Sequence, residues 1–299
     1  MEGIVRCRHC ELTFTNPRPA LRDIGRFYPP DYACYDVTGR WDIRRRARWR
    51  RAAERQVLRA FFKYPPQPAG LANVLAGWLG RAWIRSRQHR CGWIEYRGTG
   101  RLLDFGCGAG SFLRRMQTHG WRVEGLDVSA DVAAQVERQA GIRVHVGTLP
   151  HGDLDSERFD CLTMWQALEH VHQPREVLES ARQVLRPGGA IVITVPNIES
   201  WSFRAFGPHW FALDVPRHLT HFAPHTLSRL LASAGFGKIR IQHVGMDGWL
   251  RQSGKRAAAA PDARHWLGLC RWKPLALRLA RWTERRSMAD NILVIAERK

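Results

Sequence analysis

The sequence predicts an α/β fold, a doubly wound and mainly parallel sheet carried by residues 100–299. Three observations lead there. Between residues 100 and 200, short apolar runs alternate with stretches of helical period, the pattern of repeated strand–helix–strand units. A glycine cluster, Gly106-Cys107-Gly108-Ala109-Gly110, joins the first apolar run to the first helical stretch. Asp127 closes the second apolar run.

Residues 1–39 carry Cys7-Arg8-His9-Cys10, Asn16-Pro17-Arg18-Pro19 and Tyr28-Pro29-Pro30-Asp31-Tyr32. The Cys-x-x-Cys pair has zinc-knuckle spacing, yet it supplies two ligands where a structural zinc takes four. His9, between the cysteines, is poorly placed to complete the same site. Residues 40–63 set ten Arg or Lys against Asp42 and Glu54, with Trp41, Trp49, Leu58, Phe61 and Phe62 interleaved. This reads as a basic helical extension that Pro65, Pro66 and Pro68 end. Residues 71–84 are apolar but too short to span a bilayer. Residues 40–99 are therefore expected to cap the main domain, to form a lid, or to lie on an anionic membrane surface.

The expected strands are 101–105, 122–126, 142–146, 159–164 and 190–195, with helices at about 111–119, 130–140 and 174–186. Leu185-Arg186-Pro187-Gly188-Gly189 reads as a helix stop and a turn into the fifth strand. Residues 226–235 follow as a helix, and 238–244 and 291–297 as two further strands. Between those strands lies a long basic insert, 245–290, with Trp249, Trp266, Trp272 and Trp282 and an amphipathic stretch at 275–282.

The formal net charge is +20, and only five of the 47 basic residues are lysine. Such a balance suits an anionic partner, nucleic acid or membrane, although arginine-rich codon usage produces it too. Seven scattered cysteines, with Cys107 in the glycine turn and Cys161 in a strand, suit reduced buried thiols. The N-terminus lacks the shape of a signal peptide, and no apolar run is long enough to span a membrane. The chain is expected in the cytoplasm, at most peripheral to the inner membrane face.

The glycine turn carries the chemistry. Glycine is needed where a backbone turns tightly and lets a ligand approach closely, and an acidic residue about 20 positions on suits ribose hydroxyls. An adenosine-containing cofactor is implied. A dinucleotide turn wants its third glycine at the sixth position, which is Ser111 here. Asp104, two residues before Gly106, would face a pyrophosphate unfavourably but suits a cofactor bearing an ammonium and a sulfonium. Ligands of such sheets lie beyond the carboxyl ends of the strands. The expected cofactor residues are therefore Asp104, Gly106, Cys107, Gly108 and Gly110, then Asp127 and Val128, then Thr148 and Leu149, and finally Trp165.

The pattern Asp-x-Gly-x-Gly-x-Gly, followed by Asp127, Leu168-Glu169-His170-Val171 and Pro187-Gly188-Gly189, resembles the class I S-adenosylmethionine-dependent methyltransferases. The stretch Pro216-Arg217-His218-Leu219-Thr220-His221-Phe222 resembles a small-molecule subfamily, some of whose members carry an N-terminal zinc segment with two Cys-x-x-Cys pairs. One pair is absent here, so the true start is expected upstream. The resemblance implies a seven-stranded sheet of order 3-2-1-4-5-7-6 with the last strand antiparallel, S-adenosylmethionine as cofactor, and a small-molecule or lipid-like acceptor. It covers about 1–39, 100–245 and 291–297, and leaves the insert unaccounted for.

His170, His218 and His221 are the candidate catalytic residues, since a neutral imidazole can take a proton from a hydroxyl nucleophile. Methyl transfer from a sulfonium also proceeds by alignment and desolvation alone. A metal held by His209, Asp214, His218 and His221 is conceivable, but no metal is expected. Methylation of nucleic acid is the alternative that the charge suggests. Against base-amino methylation, Gln166-Ala167-Leu168-Glu169 stands where an Asn/Asp-Pro-Pro-Tyr/Phe motif would be. A non-catalytic module that tethers a partner or an anionic membrane is the third reading.

Overall fold

The computed structural model describes residues 3–28, 54, 58–59, 62–65 and 92–299. The expected basic helix and lid therefore lie largely outside the described residues. Strands β1 (Gly3–Arg6) and β2 (Thr13–Asn16) open the chain. The main domain then runs β3 (Arg101–Phe105), α1 (Ser111–Thr118), β4 (Arg122–Asp127), α2 (Ala130–Ala140), β5 (Val144–Val146), β6 (Phe159–Trp165), α3 (Pro174–Val184) and β7 (Leu185–Pro196). It continues with α4 (Trp201–Phe206), β8 (Thr220–His221), α5 (Pro224–Ser233), β9 (Phe236–Val244), α6 (Asp247–Ala259), α7 (Lys273–Arg285) and β10 (Asn291–Arg298).

Seven strands form one sheet in the order β5-β4-β3-β6-β7-β10-β9. Counted from β3 this is 3-2-1-4-5-7-6, and β10 runs antiparallel to both neighbours, as the resemblance implies. The central strands are apolar on both faces because both are covered. Leu103, Leu162, Ile193 and Val294 pack with Val177 and Leu178 of α3 and Leu227 and Leu231 of α5. Leu102, Cys161, Val192 and Leu293 pack on the opposite face with Met116 of α1, Trp121, Trp93, Leu58 and Phe62. Leu58 and Phe62 thus belong to the core, although their segment reads as a basic helix.

Local signals set the element ends. The Ser129 hydroxyl accepts the Val132 N–H at 3.3 Å to start α2, and Gly141, at φ 61°, ends it. That cap delays β5, which begins at Val144 rather than 142. Residues 185–189 are not a turn before the fifth strand but lie inside β7. Phe159 faces Leu185 and Cys161 already faces Ala190, so the motif is a bulge in a paired strand, accommodated by Gly188 at φ 72°.

A second sheet, β1-β2-β8, docks the N-terminal hairpin on the loop that precedes α5. Its partner strand is some 200 residues away, so no local pattern announces it. Cys7 and Cys10 sit in the hairpin turn, where the Cys10 N–H lies 3.5 Å from Cys7 Sγ. Backbone N–H groups from Cys10 and His9 lower the Cys7 pKa. Among the described residues no third ligand joins the pair.

The insert forms α6, a 3₁₀ segment (His265–Arg271) and α7. It has a core of its own, in which Leu250, Ala257, Leu267, Cys270 and Ala276 pack against Phe206 and Trp210. Because Asn291 pairs with both Pro196 and Val244, the insert leaves and re-enters the sheet at the carboxyl edge of its parallel strands.

Candidate active site

The glycine turn lies at that same edge. Gly106, Gly108 and Gly110 have φ of 69°, 48° and 67°, a left-handed backbone that disfavours any side chain. A Cβ on Gly106 would stand 2.9 Å from Ala167 Cβ, and one on Gly110 would stand 2.8 Å from Val136 Cγ1. The turn is therefore pressed between α2 and the residues that follow β6, with Gly106 at the surface.

Asp127 organises this turn. Its Oδ2 accepts the Gly108 N–H at 2.9 Å and its Oδ1 accepts the Ser129 N–H at 3.0 Å. A carboxylate has about four acceptor positions, so both oxygens retain capacity for ribose hydroxyls. Burial raises its pKa despite these two bonds. Asp104 is more deeply placed, 2% exposed, and Oδ1 accepts the Thr163 hydroxyl at 2.6 Å. Burial pushes its carboxyl up to about 7, and Asp127 adds to the rise. A cation at this position would restore the charged form, so the pair fits a cationic adenosyl cofactor. Val128 is exposed beside Asp127, and Trp165 closes the far side, 5.0 Å from Phe112 between ring centroids. The indole Nε1 of Trp165 is buried with no hydrogen-bond partner among the described residues.

Two expected cofactor residues differ from the sequence reading. The Cys107 side chain turns into the core with Leu113, Val132 and Val136, and a Cβ on Gly125 would meet its sulfur at 2.7 Å. Leu149 likewise packs inward, with Leu126 and Leu154. Apolar side chains at a strand end take the core when one is within reach, so these positions offer a ligand backbone only. Thr148, between them, is exposed.

The histidines divide into a cluster and an anchor. His218 Nδ1–H donates to the Ala212 carbonyl at 2.9 Å, which leaves Nε2 as the free acceptor. That Nε2 lies 3.8 Å from Asp214 Oδ2 and 4.0 Å from Glu169 Oε1. Asp214 is itself held by Arg217 through bonds of 2.9 and 2.6 Å. Burial keeps His218 neutral, its pKa well below the ordinary imidazole value. The ring of His170 stands edge-on to it, 4.6 Å between centroids. His170 Nδ1 lies 2.8 Å from Tyr28 Oη and 3.1 Å from the Arg217 carbonyl, and burial lowers its pKa to about 4. Glu169 is fully buried, and burial lifts its carboxyl to about 8.

His221 lies apart. The Thr15 hydroxyl donates to the His218 carbonyl at 2.7 Å, so His221 Nε2–H must donate to Thr15 Oγ at 3.1 Å. His221 thereby ties β8 to β2 instead of offering that nitrogen as a base. The four-ligand metal set is not assembled, because His209 faces Asp262 at 3.3 Å and His221 faces Thr15. The side chains that do converge are Glu169, His170 and His218, whose ligating atoms lie within 4.8 Å of one another and could hold a divalent ion. Sequence reasoning missed Thr163, Tyr28 and Glu169 as parts of the site. The parallel register that sets Thr163 beside Asp104 has no local signature.

A family model described as a methyltransferase domain matches residues 43–241. A ubiquinone biosynthesis O-methyltransferase of Paraburkholderia phymatum is 29% identical over 165 residues, which cover 51% of this chain and 68% of that protein. The protein of the same description from Pectobacterium atrosepticum is 30% identical over 140 residues, 43% of this chain and only 58% of that protein. In the solved complex between the Haloferax volcanii Trm112 methyltransferase activator and a methyltransferase, one chain matches with a TM-score of 0.50 and 17% identity, over 74% of this chain and 94% of that one. That last likeness is one of fold. With the glycine turn, Asp104, Asp127 and the strand order, the match places this chain in the methyltransferase-domain family, among the class I S-adenosylmethionine-dependent methyltransferases.

Proposed function

We propose that this chain methylates an oxygen of a small, lipid-like acceptor while lying peripherally on an anionic membrane. The observation that carries the enzyme reading is the cradle of three left-handed glycines tied through Gly108 to Asp127, above the buried carboxyl of Asp104. Oxygen as the target rests on the description of the matched relatives. S-adenosylmethionine supplies a methyl group on a sulfonium, activated by a neutral leaving group. Gly106, Gly108 and Gly110 would admit the cofactor against the backbone, Asp127 would take its ribose hydroxyls, Asp104 would face its cationic end, and Trp165 would wall it. His218 would accept the acceptor's hydroxyl proton at Nε2, with Asp214, 3.8 Å away, favouring the imidazolium that results. No helix among the described residues is long and apolar enough to cross a membrane.

The test is methyl transfer from labelled S-adenosylmethionine to a phenolic lipid extract and, in parallel, to total RNA. Label in the organic phase that survives mild base, which cleaves methyl esters but not ethers, is expected. Label in RNA alone would replace this reading with the nucleic-acid one.

A further inference from the structure

The insert presents a surface whose chemistry the methyl-transfer site does not use. Among the described residues, seven large apolar side chains are well exposed, and four of them, Trp266, Leu269, Trp272 and Trp282, fall within one stretch. Trp266, Leu269 and Trp272 are spaced three apart along the 3₁₀ segment His265–Arg271 and its C-cap. Residues at that spacing eclipse one another in a 3₁₀ helix, so the three form a single ridge, with exposures of 49%, 61% and 63%. The opposite side is pinned. Leu267 and Cys270 are buried, a Cβ on Gly268 would stand 3.2 Å from Ala258 Cβ, and a Cβ on Gly254 would stand 2.6 Å from the Arg271 nitrogen. The ridge cannot fold its apolar side chains back into the protein.

Its electrostatic setting is one-signed. Arg264, Arg271, Lys273, Arg278, Arg281, Arg285 and Arg286 are all exposed, and Glu284 is the one acid between 264 and 286. A second copy of this chain would bring the same positive field against itself. A nucleic acid asks for a groove with stacking faces, whereas this is a convex ridge with an aliphatic side chain at its centre. Apolar wedges flanked by cations, with tryptophan at the boundary, match the headgroup–acyl interface of an anionic bilayer.

We infer that Trp266, Leu269 and Trp272 seat this protein on an anionic phospholipid surface, with the surrounding arginines contacting headgroups. The inference rests on the peripheral-membrane part of the proposed function and names the surface responsible. The insert springs from the carboxyl edge of the sheet, and its α6 is bonded to the segment between α4 and β8, which carries His218, through Ser253 Oγ and the Phe211 N–H at 2.9 Å. Docking by the ridge therefore brings the edge that carries Asp104 and Asp127 toward the bilayer.

The test is co-sedimentation of the full chain with vesicles of phosphatidylcholine alone and of phosphatidylcholine mixed with phosphatidylglycerol. Binding to the mixed vesicles, weakened by salt and absent with phosphatidylcholine alone, is expected. The triple variant W266A/L269A/W272A should lose about tenfold or more in vesicle partitioning while binding S-adenosylmethionine like the parent in calorimetry. Should the triple variant fail to fold, the exposed-face variant R278E/R281E carries the same expectation. Undiminished partitioning of whichever variant folds, equal binding to both vesicle types, or retention on single-stranded RNA with none on vesicles would overturn the inference. Vesicle binding by a parent chain that ignores S-adenosylmethionine would instead sink the methyl-transfer reading and leave the ridge standing.

Discussion

Replacing Asp127 with alanine tests whether one carboxylate both holds the cofactor and builds its cradle. If it served the ribose alone, the free protein would not notice its loss. In the structure Asp127 is 6% exposed and takes the Gly108 and Ser129 N–H groups at 2.9 and 3.0 Å. Hydrogen bonds to charged groups contribute about 1.5–3 kcal/mol each. Gly106 and Val128 are exposed on either side, so water would recover part of this, and a net loss of about 2–4 kcal/mol is expected. For a domain of this size that corresponds to a fall in Tm of roughly 4–12 °C. The assay is thermal unfolding of ligand-free parent and Asp127→Ala, followed by calorimetric titration with S-adenosylmethionine. Affinity should fall by at least about tenfold, because ribose bonds vanish and the cradle loosens. A ligand-free Tm within about a degree of the parent's would refute the organising role, whatever happened to affinity.

Four further outcomes follow from the same geometry. Asp104, lifted to about 7, binds its proton more tightly in the folded chain than in the unfolded one, so its contribution to stability falls as pH rises from about 4 through 7; in urea titrations the stability of the parent relative to Asp104→Asn should therefore fall as pH rises from about 5 to about 7.5. A cationic cofactor would drive that proton off, so affinity should rise with pH through about 7, and binding heats that ignore the buffer's ionisation enthalpy would contradict this. His218→Gln should lower kcat by about 10²–10⁴ with cofactor binding intact, while His221→Ala should lower Tm and spare kcat; the reverse pattern in steady-state kinetics would exchange their roles. Gly110→Ala, at φ 67° and 2.8 Å from Val136 Cγ1, should cost about 2–4 kcal/mol, and adding Val136→Ala should recover only the steric part in thermal melts.

Below pH 6.5 the balance turns. His170 and His221, both lowered to about 4, bind protons more readily when unfolded, so their contribution to stability is lost as pH falls from 6.5 toward 4. The ligand-free protein should accordingly be most stable between about pH 6.5 and 7, where the two opposing contributions cross.

The succession of strands and helices, the glycine turn and the acidic end of β4 were legible in the sequence because each is a local pattern, whereas the order of strands in the sheet came from the family resemblance. Alternating apolar runs declare strands, three glycines in five residues declare a left-handed turn, and Asp127 closes the run that follows. The boundaries of β7 were not legible, since Pro187-Gly188-Gly189 reads as a turn in isolation and becomes a bulge only when Phe159 and Cys161 set the register opposite. Cys107 and Leu149 occupy ligand positions by sequence, yet core space behind the turn was available to their side chains and took them. The three histidines of the candidate site are equivalent in sequence. Pairing of β2 with β8 makes one an anchor, and the Ala212 carbonyl, by taking Nδ1–H of another, His218, leaves its Nε2 as a free acceptor.

By itself, then, the sequence determined the fold class and the glycine turn with its acidic partner, because these depend on period and spacing along short stretches, and the order of its motifs carried the family resemblance. Tertiary structure alone decided which histidine keeps a free nitrogen, that Asp127 braces the glycine turn through the Gly108 N–H, and that the basic insert turns an apolar ridge outward. Those properties depend on contacts between residues scores of positions apart, and on which face of a helix finds a partner to bury against.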